Sequence, residues 1–134
     1  MVGVTTATSV SVSLFFDFHY KKDLFSAFVS SSATRCRESG QLGFMTPFVW
    51  MFISSYREFR GSILNNYLLR DLVQLEYSGF DGATVPICTF TMSRSAVTGY
   101  IASFIKLSDF RGAEQQAPRT AQAISNRKCG WFYE

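Results

Sequence analysis

The sequence predicts an α+β fold: a two-layer sandwich in which an antiparallel sheet from N- and C-terminal strands carries two central helices packed on one face. Three observations predict it. Residues 9–20 alternate apolar and polar, residues 46–77 place apolar side chains at helical spacing between caps, and residues 84–107 return to β-branched and aromatic residues. The 134 residues suffice for one domain, spanning 1–134, and 47% apolar against 17% charged residues exclude a disordered chain or a coiled coil.

The first strand is the clearest. Val10, Val12, Leu14, Phe16, Phe18 and Tyr20 fall on one face, and Ser9, Ser11, Ser13, Asp17 and His19 on the other. The run is longer than an average strand, so residues 1–9 are expected to project as an arm. Asp23 caps a short helix carrying Leu24, Phe25, Phe28 and Val29, which Ser30–Ser32 interrupts. Residues 35–43 read as an exposed loop.

Thr46 as cap and Pro47 at the first helical position open a helix whose inner face is Phe48, Val49, Phe52, Ile53, Tyr56 and Phe59. Gly61 either ends it or kinks it. Leu64, Tyr67, Leu68, Leu72 and Leu75 continue the apolar stripe of a second helix. Residues 84–93 form a strand, and residues 97–107 fit either a return strand or a helix. Residues 108–120 read as a loop around Gly112 and Pro118, before a short last strand at 129–133.

Chemistry is sparse. The one histidine, His19, has Asp17 on its strand face, but no nucleophile elbow completes a triad. Cys36, Cys88 and Cys129 lie too far apart for a zinc motif or a secreted disulfide framework, and all are expected reduced. No glycine-rich phosphate loop occurs. Hence no catalytic residue, metal or cofactor is expected. Nothing reads as a signal peptide, and the longest apolar run, Pro47–Ile53, is far too short to span a bilayer. An intracellular, cytoplasmic protein is expected, with at most peripheral membrane contact.

Three features point to function. Trp50 lies off the helix's inner face beside Arg57, the pattern of an interface anchor. Asp71 falls within the second helix's apolar stripe, where a carboxylate needs a partner or a function. Lys106, Arg111, Arg119, Arg127 and Lys128 precede or flank Trp131, a basic and aromatic mixture suited to nucleic acid. With a net charge of +3, 14 Phe, an Arg excess and an uncharged N-terminal strand, the leading expectation is a non-enzymatic structural protein of coat, matrix or accessory type, including viral ones. It would self-associate into a homo-oligomer or serve as a subunit of a complex. The alternatives are a small RNA- or DNA-binding accessory protein using the C-terminal third, and a small enzyme whose pocket between sheet and helices involves Asp71.

Overall fold

The computed structural model describes residues 23–77, 82, 84–95 and 97–134. The expected N-terminal strand, its arm, and His19 with Asp17 lie outside the described residues. Helix α1 (Leu24–Arg35) leads into β1 (Gln41–Pro47), two 3-10 turns (Phe48–Met51 and Ser54–Tyr56), α2 (Arg57–Asn66), β2 (Leu68–Gln74), β3 (Ile87–Ser93), β4 (Ser103–Lys106), α3 (Ala113–Ser125) and β5 (Phe132–Tyr133). The expected α+β class holds: the five strands form one sheet in the order β1-β3-β2-β4-β5.

The sheet is mixed rather than antiparallel. β3 runs antiparallel to both β1 and β2, β4 runs parallel to β2, and β5 runs antiparallel to β4. β1, β2 and β4 therefore point the same way and end together at Pro47, Gln74 and Lys106. The expected return strand after β3 passes β2's far side instead, so β4 forms no hairpin with β3.

Two cores share this sheet. On one face Leu72, Cys88, Phe90 and Met92 pack with Val29 and Ala33 of α1, Trp50, and Phe59 and Ile63 of α2. On the other, Ile105 and Leu107 pack with Ala123 of α3, Val73 and Trp131. Neighbouring strand residues, Leu72 and Val73 or Phe104 and Ile105, serve opposite cores, as the pleat requires. The helices thus divide between both faces instead of collecting on one. A register shift between Leu69 and Asp71 lets Leu69 and Leu72, three residues apart, reach the same core.

Several expected boundaries move, each for a local reason. Helix α1 runs through its serine cluster, and hydroxyls on either side of it bond back to the main chain: Ser26 Oγ donates to Asp23 O and Thr34 Oγ1 to Ser31 O, both at 2.9 Å. Thr46 and Pro47 end a strand rather than start a helix. The expected second helix is split, with α2 stopping at Asn66 and β2 following. Residues 108–120 hold most of α3 in place of a loop. Gly112, at φ +95°, supplies the left-handed turn that opens it, and exposed Pro118 sits within it.

Asp71 is accordingly on β2, exposed, and accepts a hydrogen bond from Thr91 Oγ1 at 2.9 Å. It is no buried carboxylate. Asp71→Ala is expected to change stability by at most about 0.5 kcal/mol, the scale of exposed side-chain changes. Chemical denaturation checks this, and a loss of several kcal/mol would contradict the exposed placement.

Candidate functional site

In open sheets with parallel strands, ligands bind outside the carboxyl ends of those strands. Here that edge comprises Pro47 and Phe48 after β1, Gln74 to Tyr77 after β2, Val85 and Pro86 before β3, and Lys106 to Phe110 after β4. Main-chain bonds stitch it together: Phe48 N–H donates to Pro86 O (2.8 Å), Leu75 N–H to Ile87 O (3.0 Å) and Leu107 N–H to Gln74 O (2.8 Å).

Three side chains fix the edge from beneath. Arg60 of α2 donates through Nη1 to Trp50 O at 2.6 Å and to Ile53 O at 2.8 Å, clamping the turn that leaves β1. Trp50 Nε1 donates to Thr46 Oγ1 (3.1 Å), which lies 3.6 Å from Cys88 Sγ. Gln116 of α3 is buried. Its Nε2 donates to Phe110 O (2.6 Å) and Gly112 O (3.1 Å), and its Oε1 accepts from Glu76 N–H (3.1 Å). It thereby ties the end of β2 to the start of α3. Arg60 and Gln116 escaped the sequence reading, because a carbonyl clamp leaves no signature beyond a polar residue on an apolar helix face.

What this frame presents is aromatic. Phe48 and Phe52 pack edge to face at 5.5 Å, and Phe52 is 59% exposed. Tyr77, 56% exposed, donates from its hydroxyl to Thr84 O at 2.7 Å. A cleft of about 240 Å³ at the other end of the strands, lined by Leu64, Asn66, Tyr67, Ser95 and Thr98 among others, is smaller than usual ligand pockets.

The residues singled out from sequence fall differently. Trp50 is fully buried against Phe59 and Phe90, at centroid distances of 5.5 and 5.1 Å, while Arg57 is exposed. They form no interface anchor, because the turn after β1 aims the indole into the core. The C-terminal cations are partly drawn together. Arg119 lies over the rings of Phe110 (4.6 Å) and Trp131 (5.5 Å), and Trp131 Nε1 donates to Arg119 O at 3.3 Å. Arg127 lies over Phe132 and pairs with Glu134 at 2.7 Å, and Lys106 pairs with Asp109 at 3.5 Å. Arg111 and Lys128 are exposed. Among the described residues, no three His, Cys, Asp or Glu side chains gather to hold a metal ion, and no helix is long and apolar enough to cross a membrane.

The three cysteines are free thiols, Cys36 and Cys88 buried and Cys129 half-buried. Burial pushes the Cys88 thiol up, outweighing its contacts with Thr46 and Trp50, and burial also raises the Tyr67 hydroxyl, opposed by Arg94. Both groups are held neutral in the fold, so the stability they confer is full below their ordinary values and falls as pH rises past them. Denaturation midpoints are expected to drop above about pH 9, where an ordinary thiol ionises. Cys88→Ala should flatten part of that drop, and an unchanged profile would contradict the buried thiol's part in it.

Comparison with known proteins follows this geometry. Residues 11–80 match the family model of the Eco57I restriction-modification methylase. The chain is 23% identical over 116 residues to the adenine-specific methyltransferase PglX of Lacticaseibacillus casei (strain Zhang), covering 84% of this chain and 10% of that protein. Its fold resembles a candidate class I S-adenosylmethionine-dependent methyltransferase from Listeria monocytogenes, with a TM-score of 0.60, 14% identity, and coverage of 90% of this chain and 38% of that one. It also resembles the modification subunit of a candidate type I restriction enzyme from Vibrio vulnificus YJ016, with a TM-score of 0.66, 12% identity, and coverage of 91% and 30%. This chain therefore spans a tenth of the curated relative and about a third of the solved ones. The match overturns the expectation of a non-enzymatic, self-assembling structural or viral protein; of the alternatives it favours the enzyme class over the small accessory protein, and exposed Asp71 gives that class no buried carboxylate. A family model matched across more than half of the chain, on a sheet that recurs in solved methyltransferases, carries the conclusion: the chain belongs to the Eco57I restriction-modification methylase family.

Proposed function

We propose that this chain forms part of the catalytic domain of an adenine-specific DNA methyltransferase of restriction-modification type. The family match over residues 11–80 is the observation that carries this reading. The part it forms is the end of the sheet whose carboxyl edge presents Phe48, Phe52 and Tyr77. A base taken out of the DNA stack needs flat apolar surfaces to replace its neighbours, and clamped aromatic side chains supply them. Exposed Arg111 and Lys128 are open to DNA phosphates.

S-adenosylmethionine supplies the methyl group in enzymes of this class. The described residues do not fit that group by themselves. No strand among them leads into a glycine-rich turn, and at Gly112, ahead of α3, the Glu114 carboxylate fills the space that a cradle would leave open. The cofactor site is accordingly assigned to other parts of such an enzyme, in keeping with the tenth of PglX that this chain spans. Two cores on one shared sheet support reading 1–134 as a single unit within it. Membership of a complex, as for the type I modification subunit, and a soluble cytoplasmic setting belong to the same reading.

The test supplies this chain in trans to a PglX-type methylase lacking the matched segment, with labelled S-adenosylmethionine and duplex DNA. Restored labelling of adenine is expected, along with none from the chain alone. A complex that forms yet leaves adenine unlabelled, while the intact methylase labels it, would overturn the proposal.

A further inference from the structure

The cations of the last third converge on the carboxyl edge. Arg111 directly follows Phe110, where the edge after β4 ends, and the Arg119 guanidinium of α3 lies 4.6 Å from the centroid of the Phe110 ring. Lys106 N–H donates to Trp131 O at 2.9 Å, which brings the turn carrying Arg127 and Lys128 back to the same end of β4. Residues 103–134 hold five cations against three acids, so they carry two of the chain's three net positive charges. Asp109 pairs with Lys106 and Glu134 with Arg127, while the Glu114 carboxylate lies against Gly112. Arg111, Arg119 and Lys128 have no ion-pair partner among the described residues. Arg119 is also held in place. Its guanidinium covers Phe110 and, at 5.5 Å, Trp131, whose indole N–H donates to Arg119 O at 3.3 Å. One nitrogen, Nη1, donates to Gln122 Oε1 at 3.1 Å, and the rest of the guanidinium makes no hydrogen bond among the described residues. A planar guanidinium fixed by stacking keeps a fork of donors for a phosphate and loses little freedom in binding it.

We propose that stacked Arg119, with Arg111 and Lys128, forms a phosphate-binding flank beside the carboxyl edge that grips the backbone of duplex DNA. Arg111 and Lys128 are exposed and stand before and after α3, so the cations suit successive phosphates of a polyanion rather than one enclosed small anion. Contacts to phosphate carry no sequence information, so the flank fixes register and orientation. It leaves the base itself to Phe48, Phe52 and Tyr77 along the edge. The choice of duplex DNA rests on the methylase reading. The flank is measured as binding and that reading as methyl transfer, so either can fail without the other.

Fluorescence anisotropy of the full chain with labelled duplex DNA, titrated across a series of salt concentrations, tests it. The logarithm of parent affinity is expected to fall linearly with the logarithm of salt concentration. Arg119→Met keeps an apolar cover on both rings and should reduce the steepness of that line by about 0.9, the loss of one phosphate contact. Arg111→Met and Lys128→Met should each do the same, equally on two unrelated sequences. Arg35→Met, exposed at the end of α1 ahead of β1 and so at the opposite end of the strands, should leave the slope unchanged. No binding by the parent chain at low salt would overturn the proposal, as would a slope that folded Arg119→Met leaves intact. A slope that Arg35→Met lowers equally would overturn it in favour of diffuse attraction. Displacement of the DNA by inorganic phosphate at matched ionic strength would overturn it in favour of a small-anion site. Should Arg119→Met unfold the chain, Arg111→Met and Lys128→Met decide, and a slope that both leave intact would overturn the inference. The expected slopes together with absent methyl transfer would support the flank and overturn the methylase reading alone.

Discussion

Replacing Trp50 with alanine is expected to cost about 4 kcal/mol, the range found for large aromatic residues removed from a packed core. For a chain of this size that lowers the melting temperature by roughly 10 to 20 °C. The indole is fully buried, packs on Phe59 and Phe90, and donates its one N–H to Thr46 Oγ1. Truncation leaves a cavity and removes the donor from a buried hydroxyl, and the two costs add. Trp50→Phe separates them, restoring most of the volume but not the donor, and should recover about half of the loss. Calorimetry measures both variants. A Trp50→Ala protein that melts within a few degrees of the parent, but sediments as a smaller species, would restore the surface reading of Trp50.

That contrast shows where the sequence was legible. Val10 to Tyr20 aside, the strand at 84–93 and the short one at 129–133 were readable because β-branched and aromatic residues alternate there, and β3 and β5 fall inside those bounds. The α+β class followed. Residues 44–53 misled because a chain entering the core through a strand end and two short turns is apolar almost throughout. Any wheel drawn through such a run finds a stripe. The second stripe failed similarly: Leu64, Leu68 and Leu72 recur every four residues, yet Asn66 ends α2 and the chain crosses to the sheet. Neither the helix phase of Asp71 nor that of Trp50 could survive this. The family was not legible from motifs, because aromatic lips and carbonyl clamps are common chemistry and the described residues carry no glycine-rich turn.

The Arg60 clamp gives the second large effect. Its guanidinium holds two main-chain oxygens, Trp50 O at 2.6 Å and Ile53 O at 2.8 Å, and so fixes the turn bearing Phe48 and Phe52. Charge-assisted bonds of this kind contribute more than neutral ones, and a partly buried carbonyl left without its donor is costly. Arg60→Ala is expected to destabilise by about 2 kcal/mol, discounted for the solvent that reaches the Ile53 bond. Arg60→Lys should recover part of this, since both bonds leave one nitrogen, Nη1, and an ammonium has the N–H groups for both but sits on a shorter, more flexible arm. The positional effect is separable from the global one. Phe52 and Ile53 N–H both bond to Val49 O, at 3.2 and 3.1 Å, within the clamped turn. Their exchange should rise about 10-fold in Arg60→Ala beyond whatever rise the Phe90 amide shows, because local opening no longer needs to break the clamp. Equal acceleration at all three amides would mean that Arg60 contributes only to overall stability and that the aromatic edge is held without it.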